Sequence, residues 1–371
     1  MNDQNLYERY QRQIILPEFG EEAQQKLLNA KILVIGAGGL GCPALQYLAA
    51  AGVGTIGIVD DDVVALNNLH RQVLYSVNDI GLSKAKRAAH ILQQLNPEIK
   101  IISFNERMAT QNALTLIDDF DIIIDGTDNF STRYMINDAC VLLNKSLVYG
   151  AISQFEGQVS VFKNKNDHDV NYRDIFPDPP KDGEVLNCAE AGVLGVLPGI
   201  IGTMMANETI KMITDIGEPL IDQLFTYNAL NNQVYILNLS ARKETRSLIP
   251  KNEKEFLQID YEWLCASPVE QAEIDSAFFN RMVAKGNIDV IDVRELHEMP
   301  AVNEFDHIRI PLAQLADNTS LIRSDIVIAF CQSGKRSLQA AKILSGIFGD
   351  KKNIYSLRGG IVEWKKHKQT V

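Results

Sequence analysis

Lys31-Ile32-Leu33-Val34-Ile35-Gly36-Ala37-Gly38-Gly39-Leu40-Gly41 decides how the larger part of this chain folds. Five residues, four of them apolar and two of those β-branched isoleucines, read as a strand buried on both faces, and a glycine-rich turn follows at once. Cys42 to Leu48 continues as a helix with Pro43 near its start, where a missing N–H costs nothing. A second apolar run, Thr55-Ile56-Gly57-Ile58-Val59, ends in Asp60-Asp61-Asp62. Strand, glycine turn, helix, strand and acid is the order of a dinucleotide-binding unit. The glycines permit a tight turn and close approach of phosphates, and the acid suits ribose hydroxyls. The expected class is α/β, with a doubly wound sheet, and at this point a nicotinamide-dependent dehydrogenase fits equally well.

The next segments shift the balance. Asn67-Asn68-Leu69-His70-Arg71-Gln72 places an amide and a guanidinium just past the acids, and Lys84 follows Gly81-Leu82-Ser83 at an apparent helix start. Asp121-Ile122-Ile123-Ile124-Asp125 is another apolar strand, leading into Gly126-Thr127-Asp128-Asn129. Cations around a phosphate turn, with an acid able to hold Mg²⁺, suit attack on a nucleoside triphosphate. Hydride transfer has no need of so much positive charge.

With Arg9-Tyr10-Gln11-Arg12-Gln13 at the start, these segments resemble the MoeB/ThiF/HesA family, bacterial relatives of ubiquitin-activating enzymes, from about Arg9 to about Leu239. The resemblance implies a Rossmann-like, mainly parallel sheet and adenylation of the C-terminal glycine of a ubiquitin-like sulfur carrier ending in Gly-Gly. It puts Gly38, Gly39 and Gly41 at the phosphates and Asp60 at the ribose. Asn68, Arg71 and Lys84 would grip the triphosphate, and Asp128 would position Mg²⁺ with Asp62 close by. Arg12 would reach into a neighbouring subunit's ATP site, which implies a homodimer. Asn187-Cys188-Ala189-Glu190 resembles the family's cysteine-bearing segment, whose thiol forms a thioester or acyl disulfide with the carrier in some members and is dispensable in others. The family's two Cys-x-x-Cys pairs are absent: Asn171-Tyr172-Arg173-Asp174 stands where the first belongs, and residues 241–255 hold no cysteine. Structural zinc wants thiolates or imidazoles, so no zinc is expected.

A second chemistry lies near the other end. The run Asp325 to Phe330 reaches a single cysteine, Cys331, followed by Gln332-Ser333-Gly334-Lys335-Arg336-Ser337 and a helix-like stretch from Leu338 to Ser345. A thiol where a strand meets a helix start faces backbone N–H groups and the positive helix end, and Lys335 and Arg336 add charge; all favour the nucleophilic thiolate. Here the chain resembles a rhodanese domain, a single-cysteine sulfurtransferase. Asp289 to Glu295, His307 to Leu312 and the Gly359-Gly360…Trp364 ending match its signatures. The six-residue loop from Cys331 to Arg336 has the length of the sulfur-transferring branch, which leaves room for one persulfide sulfur rather than a phosphate. Thiosulfate or a persulfide is the implied donor.

Composition fits two cores: 371 residues, 46% apolar. Five scattered cysteines argue against a disulfide framework and for a reducing, cytoplasmic setting; Cys42 and Cys140 read as packing residues. Residues 192–206 form the most apolar run, but Pro198 and glycines interrupt it short of the ~20 residues a membrane span needs, so a buried helix is expected. From Glu273 onward 14 Lys and Arg face 12 Asp and Glu, a net of +2, which leaves −13 for the rest of a chain of net −11. An acidic main domain makes nucleic acid a poor partner. The expected plan is an adenylyltransferase domain over residues 1–245, a linker over 246–272 and an α/β rhodanese domain over 273–371. The competing readings are a dehydrogenase using NAD and a non-catalytic scaffold that binds a partner. The same chemistry serves molybdopterin, thiamine and transfer-RNA thiolation, and the residues do not choose among them.

Overall fold

The computed structural model describes residues 3–166, 168–179, 192–265, 273–295 and 297–368. They fall into two compact units, divided after Cys265. The first is built on an eight-stranded sheet: β1 (Lys31–Ile35), β2 (Thr55–Val59), β3 (Lys100–Phe104), β4 (Ile122–Asp125), β5 (Ser146–Ser153), β6 (Glu156–Phe162), β7 (Gln223–Asn228) and β8 (Gln233–Asn238). The order is β3-β2-β1-β4-β5-β6-β7-β8. β1 pairs in parallel with β2 on one side and β4 on the other, and β4 pairs in parallel with β5, whereas β6 to β8 run antiparallel. β4 is buried at every position and β1 at all but Lys31, as their unbroken apolar runs require.

Two apolar clusters cover the sheet. Helices Gly41–Ala51 and Val196–Thr214 supply one, with Leu45, Leu48, Leu197, Ile201 and Met205. Val196–Thr214 is the helix expected from the apolar run around Pro198. Helix Phe130–Leu142 supplies the other, with Tyr134, Ile136 and Cys140. The segment read from sequence as a linker holds helices Glu253–Gln258 and Tyr261–Cys265. Phe256 and Tyr261 are buried in that second cluster, and the Tyr261 hydroxyl donates to Asp138 Oδ2 at 2.8 Å. This stretch belongs to the first unit's packing.

The second unit has a five-stranded, all-parallel sheet in the order β11-β10-β12-β13-β9, formed by β9 (Glu273–Ile274), β10 (Asp289–Asp292), β11 (Ile308–Arg309), β12 (Ile326–Phe330) and β13 (Asn353–Leu357). Helix Lys335–Phe348 follows β12, beginning three residues earlier than the sequence suggests. Trp364 anchors the last helix in the core: its Nε1 donates to Asn280 Oδ1 at 2.8 Å and its ring meets Phe279 and Phe305 edge-on.

Candidate active sites

A cavity of about 920 Å³ opens beyond the carboxyl ends of β1, β2 and β4. That is where the strand order reverses, between β1 with its neighbour β2 and β4 on the other side, and where doubly wound sheets take ligands. Gly38, Gly39, Asp60 and Asp62 line it, and so do Asn68, Arg71, Lys84 and Asp128. Residues as far apart as 38 and 128 therefore share one site.

Gly36 has a φ of +93°, open to glycine at little cost. Gly41, expected at the phosphates, is buried and does not line the cavity; a Cβ there would lie 1.9 Å from the Gly36 carbonyl oxygen. What its position demands is close packing of the helix start on the turn. The Ala37 N–H donates to Asp60 Oδ2 at 2.8 Å and the Asp62 N–H to Asp60 Oδ1 at 2.9 Å, so this acid also braces the glycine turn. Burial holds the Asp60 carboxyl above its ordinary range, while Lys84 and the two N–H groups pull the other way. Arg71 Nη1 donates to the Asn67 carbonyl at 3.0 Å and lies 2.8 Å from His70 Nε2. Asn68 Oδ1 accepts from the Ala65 N–H at 3.2 Å, and Lys84 Nζ meets Asp62 Oδ2 at 2.8 Å.

Asp128 is exposed, and its carboxylate makes no hydrogen bond or ion pair among the described residues. Among those residues no three His, Cys, Asp or Glu side chains converge on a metal site. One open carboxylate in the cavity of the glycine turn nonetheless fits Mg²⁺, which is commonly held by one or two carboxylates plus substrate phosphates. Arg12 lies exposed on helix Asp3–Ile14 and does not line the cavity of its own chain. Cys188 lies outside the described residues; Gly192 and Val193, beyond it in sequence, line the cavity. Sequence reasoning missed Arg133, whose signal was a single cation inside the apolar helix Phe130–Leu142. It also missed Gln72 beside the glycine turn, whose buried Oε1 has no hydrogen-bond partner among the described residues.

In the second unit Cys331 directly follows β12 with its side chain almost wholly buried, more enclosed than a polar loop suggests. Ser337 Oγ lies 3.6 Å from Cys331 Sγ, and Ser356 Oγ donates to Ser337 Oγ at 2.9 Å. The Ile361 N–H donates to the Cys331 carbonyl at 2.8 Å and the Val362 N–H to that of Gln332 at 3.3 Å. These bonds hold two loop carbonyls against the start of the last helix. Gly334 is left-handed (φ +89°), and a Cβ at Gly360 would lie 2.4 Å from the Cys331 carbonyl oxygen, so the paired glycines let the loop close. Ser333 and Lys335 are exposed, whereas the Arg336 guanidinium is taken up by Glu298, at 2.5 and 2.6 Å. Its charge is thus largely matched rather than left for the sulfur. Fully buried Arg294, 5.4 Å from the Phe330 ring centre, makes a double contact with Asp292 (2.8 and 2.7 Å). Among the described residues the remaining thiols are held in the protonated form: burial pushes Cys42 and Cys265 up to about 12 and Cys140 well above its usual value.

At the site of the absent cysteine pair, Asp174 is buried and fully engaged. It accepts from the N–H and Nδ2 of Asn171 (2.9 and 2.8 Å), from the Arg242 N–H (2.9 Å) and from the Thr245 hydroxyl.

Comparison with known proteins gives both units relatives. The ThiF family model matches residues 10–248, and the rhodanese-like domain matches residues 277–367. The chain is 42% identical to the probable adenylyltransferase/sulfurtransferase MoeZ of Mycobacterium tuberculosis, over 97% of this chain and 93% of that protein. It is 39% identical to adenylyltransferase and sulfurtransferase MOCS3 of Arabidopsis thaliana, over 96% and 82%. Identity to the sulfur carrier protein adenylyltransferase of Thermus thermophilus is 47%, over 70% of this chain and 96% of that one. Among solved structures, E. coli MccB with ATP superposes with a TM-score of 0.56 at 21% identity, over 63% of this chain and 72% of that one, which speaks for the fold.

Proposed function

The chain belongs to the ThiF family, and on that premise we propose that it activates a ubiquitin-like sulfur carrier ending in Gly-Gly and delivers sulfur to it. With a rhodanese-like domain behind the ThiF domain, and relatives of both activities along nearly its whole length, it is an adenylyltransferase and sulfurtransferase, not a dehydrogenase or an inert scaffold.

A carboxylate is a poor acceptor for sulfur until it carries a good leaving group. In the first step the carrier's terminal carboxylate attacks the α-phosphorus of ATP, pyrophosphate leaves and an acyl-adenylate forms. Gly38 and Gly39 let the phosphates approach the turn, while Arg71 and Lys84 meet their charge with Asn68 beside them. Asp60 receives the ribose. Mg²⁺ held near Asp128, with Asp62 adjacent, would shield the triphosphate from the incoming carboxylate. Arg12, exposed and absent from its own cavity, suits supply to a partner's site in a homodimer.

In the second step the outer sulfur of a Cys331 persulfide, loaded from thiosulfate or another persulfide, attacks the activated carbonyl and AMP leaves. The product is an acyl disulfide on Cys331, held in the loop from Gln332 to Arg336. Attack of the Cys188 thiolate on Cys331 Sγ breaks the S–S bond, expels the carrier thiocarboxylate and leaves a Cys188–Cys331 disulfide, so electrons balance. The enzyme needs no zinc in this scheme, and an external thiol reductant reopens the Cys188–Cys331 disulfide by thiol–disulfide exchange before the next turnover.

The observation that carries the adenylation step is the gathering of Asp60, Arg71, Lys84 and Asp128 around one cavity at the strand switch point. Carrier-dependent exchange of labelled pyrophosphate into ATP tests it. Exchange is expected in the native enzyme, lost in Asp128→Ala and kept in Cys331→Ser, which instead loses sulfur transfer. Tight NAD binding without exchange across several Gly-Gly carriers would overturn the reading.

A further inference from the structure

Thr127, the residue before Asp128, is held at three of its polar groups. Its N–H and hydroxyl both donate to Asp125 Oδ1, at 2.9 and 2.6 Å, and its carbonyl accepts from Arg133 Nη2 at 3.0 Å. Arg133 Nε in turn reaches Asp125 Oδ2 at 3.3 Å. Asp125 is fully buried and Arg133 nearly so. The guanidinium cannot swing away easily: it lies 5.1 Å from the Tyr149 ring centre, 5.7 Å from Phe130 and 6.0 Å from Tyr172. On the far side, Asn129 Oδ1 accepts from the Thr132 N–H at 2.8 Å and starts helix Phe130–Leu142. Asp128 is therefore an exposed side chain on a backbone fixed at both neighbours.

A buried ion pair contributes little net stability once desolvation is counted. Its geometric consequence is larger here, because both ions also hydrogen-bond one threonine. We propose that Asp125, Thr127 and Arg133 form a clamp whose task is to aim the Asp128 carboxylate at the metal–nucleotide complex. They are positioning residues, acting through Asp128. The proposal rests on the ATP reading above and adds to it how an exposed acid of the site acquires a direction.

Calorimetric binding of ATP to the full-length protein, with Mg²⁺ and with excess EDTA, tests the clamp without relying on turnover. Thr127→Val keeps the side chain's shape and removes the hydroxyl bond; Thr127→Ser retains it. Thr127→Val should weaken Mg·ATP binding by about 3- to 10-fold, the worth of one buried hydrogen bond, and leave metal-free ATP binding unchanged. Thr127→Ser should bind like the native protein. In an Asp128→Ala background Thr127→Val should have no further effect, because nothing remains to be aimed. Equal losses with and without metal, or the same loss in both backgrounds, would overturn the clamp. Failure of the native protein to bind ATP would overturn the functional reading as well, whereas Mg·ATP binding untouched by Thr127→Val would remove the clamp alone. Melting temperatures of each variant check that the fold is intact.

Discussion

Lys84 Nζ and Asp62 Oδ2 meet at 2.8 Å beside the glycine turn, the lysine side chain only 7% exposed and the aspartate 70% exposed. The asymmetry decides what each partner does. A buried ammonium requires an anion nearby, whereas an exposed carboxylate loses little when its partner goes. In the ligand-free protein Asp62 supplies that anion; with ATP bound, a phosphate oxygen can share the role.

The two substitutions should therefore behave differently. Lys84→Met should leave the melting temperature of the free protein almost unchanged and weaken ATP binding by about 10- to 100-fold, the range of a charge-assisted contact. Asp62→Asn should cost about 1–2 kcal/mol of stability in the free protein, because the cation stays buried with a weaker partner. Thermal melts with and without ATP separate the cases, and equal destabilisation by both variants would refute the assignment.

Asp174 and Arg242 make the second relationship, 68 positions apart. Between Asn171, Arg242 and Thr245, both carboxylate oxygens of Asp174 are occupied. The clip joins helix Tyr172–Ile175 to helix Lys243–Arg246 and leaves no free lone pair for a metal. Asp174→Ala should lower stability by about 2–4 kcal/mol, since it strands several buried donors at once. Chelators should not shift the melt, and elemental analysis should find no zinc. Close to one zinc per chain, or a melt lowered by EDTA, would sink this account.

Much of this was legible in the residues because the signals are local. The run from Lys31 to Gly41 carries strand, turn and helix start within eleven positions, and the Cys331 loop does the same in the second unit. What was not legible depends on register between distant elements. Asp125, Thr127 and Arg133 are close in sequence, yet only the burial of β4 and the aromatic wall of Tyr149 and Tyr172 makes their ion pair a clamp. The loss of Cys-x-x-Cys was visible, but its replacement was not, since Asn171, Asp174 and Thr245 are ordinary polar residues until the fold brings them together. Phe256 and Tyr261 sat in a charged, weakly periodic stretch whose apolar anchors are too few to show a period. Arg336 looked like a charge offered to the thiolate, and its engagement by Glu298 across 38 positions gave no sequence signal.

That last pair supplies an acid test of the second unit. Glu298 accepts a two-pronged contact from Arg336, at 2.5 and 2.6 Å, and its Oε1 also accepts from the Glu295 N–H at 2.8 Å. The Arg336 hydrogen bonds hold the Glu298 carboxyl down at about 2. A carboxyl whose folded value lies below its unfolded value, about 4.3 for Glu, stabilises the fold fully above the unfolded value and ceases to do so as pH falls through the folded one. The contribution is therefore present at neutral pH and fades between about pH 4.5 and 2. Because both side chains remain partly exposed, its size should be modest, below about 1 kcal/mol. Glu298→Gln cannot titrate at this position, so it should start less stable at pH 7 and converge on the native protein as the pH approaches 2. Acid titration of Trp364 fluorescence in a Trp263→Phe background reports on this unit within the full-length protein. A constant gap between native and Glu298→Gln curves from pH 7 to 2 would show that the ion pair with Arg336 does not contribute to the stability of this unit.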